Sequence, residues 1–121
     1  MPRQPEGKLV AKIKALLATN GARPFKIQGS DESFQEVGIP DLLVCVVGRF
    51  VGMEVKQPGE PLRAAQRVVL CEIYKAGGVA AVVESVEQVR KLLSSIERRS
   101  SHSGPVCYDR GIFRGECRFT S

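Results

Sequence analysis

The sequence predicts one α/β domain, in which a mixed sheet is flanked by helices. Residues 42–47 and 50–56 form two stretches that are apolar on both faces, which indicates neighbouring strands covered on both sides. Residues 61–76 have helical periodicity and lead into the apolar run 79–83, so a strand–helix–strand crossover with parallel pairing is expected. A length of 121 residues, 43% of them hydrophobic, suffices for one domain with a real core.

The chain opens with a predicted helix over residues 5–18. A proline suits its first turn, and an apolar stripe of leucine and isoleucine marks its buried face. Asn20-Gly21 is typical of a helix end. Residues 25–28 then predict a short strand, and residues 29–38 predict a polar, solvated loop.

The two central strands are predicted to form a hairpin. Gly48-Arg49 fits a two-residue turn of type II′, which favours glycine at its first central position. This turn places Asp41 opposite Lys56, with Glu54 on the same face. Asp41 and Glu54 are then diagonal neighbours, about 7–8 Å apart at the backbone. Two carboxylates at that spacing can converge on one divalent cation.

The second half of the chain completes the predicted order α-β-β-β-α-β-α. Gly77-Gly78 ends the helix over residues 61–76, and Gln66 lies at the edge of its buried stripe. The run 79–83 predicts a fully buried strand. A Ser-x-x-Gln capping box, residues 85–88, begins the last predicted helix.

The composition changes to arginine, serine and glycine near residue 97. We therefore divide the chain into a domain over residues 1–97 and a basic extension over residues 98–121. Residues 98–104 are predicted to be a flexible linker. The aromatic residues beyond it are expected to pack as an arm on the domain or on a partner: Tyr108, Phe113 and Phe119.

Basic residues outnumber acidic ones, giving a formal net charge of +5 and a pI of about 9.3. The excess is compatible with a phosphate-backbone partner, although many basic proteins bind no nucleic acid. Four residues are candidate phosphate contacts or else ordinary solvated charges: Arg23, Lys26, Arg63 and Arg67. Since no stretch resembles a signal peptide or a membrane span, an intracellular, cytoplasmic protein is expected.

The cysteines and the histidine argue against other kinds of site. Cys45 and Cys71 are predicted to be small core residues in a strand and a helix. Cys107 and Cys117 are spaced too widely for the C-x2–4-C pairs that are typical of zinc sites. His102 is the only histidine of the sequence and leaves no Ser-His-Asp or Cys-His nucleophile set. No P-loop or dinucleotide-binding fingerprint is present.

Two segments carry a resemblance to a known family. GIPDLL at residues 38–43 and MEVKQPGEPLRAAQ at residues 53–66 resemble the VRR-NUC family of the PD-(D/E)xK nuclease superfamily. The resemblance spans about residues 6–89. It implies a restriction-endonuclease-like fold with an αβββαβ core, and a VRR-NUC-like domain over residues 1–97.

The resemblance also assigns roles to residues. Asp41 and Glu54 would bind Mg²⁺ or Mn²⁺ together with the backbone carbonyl of Val55, an all-oxygen set that suits hard cations. Lys56 would orient the attacking water or stabilise the charged transition state. Two further residues are implied at the site: Gln66, as a hydrogen-bonding partner of water or phosphate, and Glu6, as a possible additional metal ligand.

The predicted function is a metal-dependent DNA endonuclease that is structure-specific, Holliday-junction resolvase-like and homodimeric, from a bacterial or phage-infected cell. Three alternatives stay open: a flap or nicking nuclease of the same family, a non-catalytic DNA-binding accessory module, and a small-molecule-binding α/β protein. A purely structural explanation of Asp41, Glu54 and Lys56 is a cross-strand ion cluster, because such pairs are common at sheet ends.

Overall fold

The computed structural model describes residues 6–26, 37–98 and 104–119, without the side chains of Glu6 and Arg98. Helices and strands alternate along these ranges in the predicted order, followed by a short C-terminal hairpin. Their bounds are α1 (Glu6–Thr19), β1 (Arg23–Lys26), β2 (Leu42–Val46), β3 (Arg49–Val55), α2 (Ala64–Lys75), β4 (Val79–Val83), α3 (Val86–Arg98), β5 (Val106–Asp109) and β6 (Ile112–Arg114).

The strands form one mixed sheet in the order β1-β2-β3-β4-β5-β6. Strands β1, β2 and β3 pair antiparallel, β3, β4 and β5 pair parallel, and β5 and β6 pair antiparallel. Helices α1 and α3 pack together on one face, while α2 packs against β4 on the other. The predicted α/β class and the parallel crossover through α2 are therefore confirmed.

The main core lies between the sheet and the α1–α3 layer. Apolar side chains of β2 and β3 point into this core. Along β2 every second residue is buried, as is typical of a half-buried strand. Leu9, Ile13 and Leu17 of α1 fill the same layer, which confirms the predicted helix stripe. A smaller core under α2 contains Leu70, Ala80, Val82, Cys107 and Phe119.

The predicted capping box begins α3, with one change. The Ser85 hydroxyl accepts a hydrogen bond from the Gln88 N–H at 3.2 Å, as the motif requires. The Gln88 side chain, however, accepts its bond from the Glu84 N–H at 2.6 Å rather than from Ser85. The cap therefore also fixes the end of β4, where Glu84 follows the last strand residue.

The predicted hairpin turn is wrong by one position. Val46 pairs with Arg49, so Val47-Gly48 is the turn, with φ of 49° and 76°. Positive φ at both central residues is the signature of a type I′ turn, which accepts glycine at the second position. The pairing shifts by two residues as a result, and an even shift leaves every side chain on its predicted face.

The prediction that both faces of the hairpin are covered holds only in part. Helix α2 lies over β4 and part of β3, where Ile73 packs on Gly52 and Glu54 is buried, so the uncovered part of that face lies on β1, β2 and the start of β3. Phe25 and Phe50 are each 49% exposed there, and Cys45 is exposed rather than a core residue. Cys71, on α2, is buried as predicted. An apolar groove of about 670 Å³ remains between α2 and the hairpin.

The stretch predicted as an extension adds two strands to the sheet. β5 lies parallel to β4, and its Tyr108 and Cys107 are fully buried. The Phe113 ring contacts the Tyr108 ring at 4.6 Å between centroids, and Phe119 packs under α2, so the aromatic residues pack on the domain itself. The predicted linker falls mainly on residues 99–103, outside the described residues. Within the described ranges, no helix combines the length and apolar content that a membrane crossing requires.

Candidate active site

Asp41 lies immediately before β2, at the edge of the sheet where β3 ends. Extending the observed register by one residue places Asp41 directly opposite Glu54, not opposite Lys56 as predicted. Directly opposed residues lie about 4.5–5.5 Å apart at the backbone, closer than the predicted diagonal pair. The Asp41 Oδ2 atom accepts a hydrogen bond from the Val55 N–H at 2.9 Å, which fixes the carboxylate beside β3.

The approach to Asp41 depends on a glycine. Gly38 has a φ of 91°, and a Cβ built on it would lie 2.4 Å from the carbonyl oxygen of Ala65. The chain therefore passes against the first turn of α2 at a distance that only glycine permits. This contact sets where the segment leading to Asp41 lies relative to α2.

Glu54 is the buried carboxylate of the site, with only 2% of its surface exposed. Its Oε1 atom accepts a hydrogen bond from the Gln66 side-chain amide at 3.2 Å. The Gln66 Oε1 atom accepts a bond from the Arg63 N–H at 2.9 Å, at the N-cap of α2. Gln66 thus connects the start of α2 to Glu54, and the structure brings these two predicted site residues together.

Lys56 lies on the same face as Glu54 and is 5% exposed. Its N–H donates to the Val83 carbonyl at 2.9 Å, which extends the parallel pairing beyond the end of β3. Its Nζ atom lies 3.7 Å from Glu60 Oε2. A buried ammonium group needs such a partner, because an isolated buried charge is costly.

The residues after β3 form a loop, Gln57–Glu60, that is held by several side chains. The Gln57 N–H donates to Glu60 Oε1 at 2.9 Å, and the Gly59 N–H donates to Glu84 Oε2 at 2.8 Å. Arg110, from the predicted extension, donates to Glu84 Oε2 at 3.0 Å and to the Glu60 carbonyl at 2.6 Å. An available signal was Arg110-Gly111, because glycine at the second position of a two-residue turn is typical of a hairpin.

The other predicted residues lie around this centre. Glu6 is the first residue of α1, and the prediction that its carboxylate faces the metal concerns a side chain outside the described part. Arg63 and Arg67 are exposed at the start of α2, on either side of Gln66. Arg23 and Lys26 belong to the edge strand β1.

The two candidate phosphate contacts of β1 occupy opposite faces. Arg23 pairs with Cys45 and shares the face of Asp41, where its guanidinium lies 4.5 Å from the centre of the Phe25 ring. Lys26 pairs with Leu42 and therefore projects from the opposite face. Both side chains are exposed.

Two side chains of β5, Cys107 and Tyr108, have raised pKa values. Burial raises the pKa of the Tyr108 hydroxyl and, as its largest cause, that of the Cys107 thiol. The Tyr108 hydroxyl donates to the Gln88 carbonyl at 2.6 Å. Both groups are held in their neutral form within the core, so they support the sheet rather than the chemistry of the site.

The donor set at the start of β2 and the end of β3 consists of oxygen atoms. Asp41 and Glu54 supply carboxylates, and in an extended strand the Val55 carbonyl points to the same side as its N–H, which is the side of Asp41. Oxygen ligands of this kind suit Mg²⁺ or Mn²⁺. Among the described residues no group of three or more acidic, cysteine or histidine side chains is placed to hold a metal ion, and Asp41 and Glu54 form a pair of carboxylates.

Comparison with known proteins agrees with this architecture. A solved structure described as "VRR_NUC domain" is similar to the chain with a TM-score of 0.61 and 28% sequence identity. The similarity covers 74% of this chain and 94% of that one. The sequence matches no family model and no curated protein.

The chain therefore has an α/β fold of the restriction-endonuclease-like class, as predicted. Within that class the fold is VRR-NUC-like, and this similarity supports a nuclease-family domain.

Proposed function

We propose that this chain is a metal-dependent DNA endonuclease that hydrolyses phosphodiester bonds. One observation carries the proposal: Asp41 and Glu54 stand side by side at a sheet end, with Gln66 on Glu54 and Lys56 on the same face. Within a nuclease-like fold, this arrangement supports catalysis better than an incidental ion cluster does. Burying the Glu54 carboxylate to 2% exposure is costly, and a surface ion cluster would not require that burial.

Each residue has a distinct role in the proposed reaction. Asp41, Glu54 and the Val55 carbonyl hold Mg²⁺ or Mn²⁺, which supplies Lewis-acid polarisation of the phosphate. The Val55 N–H fixes Asp41 through its hydrogen bond. Lys56 orients the attacking water or stabilises the charge that develops on the phosphate.

The remaining predicted residues support that centre. Gln66 fixes the Glu54 carboxylate through its amide group, so its first role is to orient a ligand. Its position also allows a hydrogen bond to water or phosphate when substrate is bound. Glu6, at the start of α1, is proposed as an additional metal ligand.

DNA is the proposed substrate. Arg63 and Arg67 flank Gln66 on the exposed side of α2, and Arg23 lies on the catalytic face of β1, where phosphates of a bound strand would pass. Lys26 is a weaker candidate because its strand position directs it to the other face.

A branched substrate and a homodimer are the finer parts of the proposal. Cutting both strands of a junction requires two active sites, which a two-fold dimer supplies. The half-exposed Phe25 and Phe50 on the open sheet face are apolar surface that a second copy could bury.

The test is a cleavage assay with the wild type and two amide variants, Asp41→Asn and Glu54→Gln. Substrates are a four-way junction, a flap, a splayed fork and linear duplex, each with Mg²⁺, Mn²⁺ or EDTA. We expect metal-dependent cutting by the wild type and a loss of about 10²–10³-fold in each variant, because each loses a metal-binding charge. Light scattering with and without DNA reports the mass of the same preparation.

Glu87→Gln is the matched control, because it removes one carboxylate charge from the exposed start of α3. Its cleavage rate should equal that of the wild type. Paired cuts across the junction would support the resolvase, whereas one cut near a branch would identify a flap or nicking enzyme. DNA binding that survives EDTA, without cleavage in Mn²⁺, would instead identify a non-catalytic binding module.

A further inference from the structure

Three parallel strands end at the edge of the sheet that carries the candidate site. Because β3, β4 and β5 run in the same direction, the residues that follow them gather at one edge. Lys56 follows β3, Glu84 follows β4, and Arg110 follows β5. Arg110 is thus brought beside the site by a part of the chain that lies far from the motif in sequence.

Arg110 is firmly anchored at this edge. Its N–H donates to the Val82 carbonyl at 2.8 Å, which continues the parallel pairing of β4 and β5. Its side chain is 24% exposed and that of Glu84 is 16% exposed, so their 3.0 Å ion pair is largely shielded from solvent. The Arg110 Nε atom also lies 3.4 Å from Asp109 Oδ1.

The guanidinium contacts both sides of the loop that follows Lys56. One nitrogen, Nη2, donates to the Glu60 carbonyl at 2.6 Å. The other, Nη1, donates to Glu84 Oε2, and that same oxygen accepts the Gly59 N–H at 2.8 Å. The loop Gln57–Glu60 is therefore tied to β4 and β5 by one arginine and one glutamate, and it presents Glu60 Oε2 to the Lys56 ammonium at 3.7 Å.

We propose that Arg110 is a positioning residue of the active site. It acts through Glu84 and the Glu60 carbonyl to fix the Gln57–Glu60 loop, and through that loop it keeps Lys56 and Glu60 aligned on the catalytic face. The planar guanidinium suits this task because it donates in two directions at once, which an ammonium cannot do in the same fixed geometry. The inference rests on the proposed nuclease function for its catalytic consequence, whereas the fixing of the loop stands independently.

The test uses Arg110→Asn, because asparagine tolerates the left-handed backbone that Arg110 adopts at a φ of 52°. Val47→Asn is the matched control, since Val47 occupies the corresponding position of the other residue–glycine turn. Amide hydrogen exchange of residues 57–60 and steady-state cleavage are measured at a temperature where circular dichroism shows every variant folded.

For Arg110→Asn we expect exchange at the Gly59 and Gln57 amides to quicken roughly tenfold. The cleavage kcat should fall by about 10–100-fold with KM within about twofold, because misplaced catalytic groups affect the reaction step more than binding. Arg110→Lys should recover part of the rate. Glu84→Gln should resemble Arg110→Asn, and the double variant should be no worse than either, because both residues act through the same contacts.

Other outcomes overturn the inference. Unchanged exchange in Arg110→Asn would show that the guanidinium does not hold the loop. Faster exchange with unchanged kcat would show that the contacts hold the loop without affecting catalysis. An equal loss of kcat in Val47→Asn would show a general effect of turn substitution. If the wild type cuts no substrate, the proposed function fails, and the exchange measurement alone then decides whether Arg110 fixes the loop.

Discussion

The β2–β3 and β5–β6 hairpins turn in the same way but meet the candidate site with opposite ends. Val47-Gly48 and Arg110-Gly111 both have positive φ at both central residues. Since β5 runs parallel to β3, the first hairpin directs its open end toward the site, and the second directs its turn there. The open end supplies the carboxylates, and the turn supplies Arg110.

The two turns also differ in what offsets their backbone strain. A left-handed conformation is unfavourable for any residue with a Cβ, and most unfavourable for a β-branched residue such as Val47. The Val47 side chain is 56% exposed, so packing provides little in return. Arg110 adopts the same conformation, but its side chain gains hydrogen bonds to Glu84 and to the Glu60 carbonyl. The strain at Arg110 is thus offset by side-chain hydrogen bonds that the Val47 side chain cannot make.

The largest predicted difference in the free energy of unfolding is between a substitution before β2, near the site, and one in the turn after β2. Gly38→Ala should lower the free energy of unfolding by about 3 kcal/mol or more, from left-handed strain together with overpacking against the Ala65 carbonyl. Gly48→Ala should cost only about 1–2 kcal/mol, because its Cβ would meet open space. Urea denaturation of both variants measures the difference, and equal losses would contradict it.

A smaller effect compares the two turns directly. Val47→Asn should raise the free energy of unfolding by about 1 kcal/mol, because asparagine suits the first central position of a type I′ turn. Arg110→Asn relieves the same strain but loses charged hydrogen bonds worth about 1.5–3 kcal/mol each, so its net effect should be a loss of stability. Thermal melts of the two variants provide the measurement. Stabilisation by both substitutions would show that the Arg110 contacts contribute little.

The smallest predicted effect is a loss of stability at alkaline pH, which reports the burial of Cys107 and Tyr108 in β5. The pKa of Cys107 is raised above 9.0 and that of Tyr108 above 10.0, chiefly by burial. The folded chain therefore holds these protons more tightly than the unfolded chain, and stability is full below pH 9 and falls as pH rises through the folded values. Melting temperatures between pH 8 and 11 should decline accordingly.

Tyr108→Phe supplies the control for the alkaline experiment. It removes the tyrosine titration and also the hydrogen bond to the Gln88 carbonyl, so it should lower stability at pH 8 but flatten the decline above pH 10. An unchanged slope would mean that the tyrosine does not contribute to the pH dependence.

Much of the fold follows from local patterns. The apolar run Val79–Val83 is a fully buried strand as predicted, and the α1 stripe packs as its periodicity indicated. The β5–β6 hairpin escaped prediction because its strands are short and lie in a segment rich in arginine, serine and glycine. Its stability depends on pairing with β4, which is a contact between distant parts of the sequence.

Most of the candidate site was predicted from the sequence, but its geometry was not. Asp41, Glu54, Lys56 and Gln66 were identified through their spacing and the family resemblance, and the structure places them around one sheet end. Glycine in a two-residue turn fits both type II′ and type I′, so the sequence alone left the register uncertain by two residues. Arg110 belongs to no catalytic motif, and only the sheet order makes it a neighbour of the site.

The sequence by itself determined which side chains share a face, because strand alternation has a period of two and survives an even shift of register. Asp41 and Glu54 were therefore bound to project together, whichever turn formed. The tertiary structure decided that they are directly opposed, that α2 leaves the turn end of the hairpin exposed on one face, and that Arg110 reaches the loop after Lys56. These features depend on packing between segments distant in the chain, which no local pattern specifies.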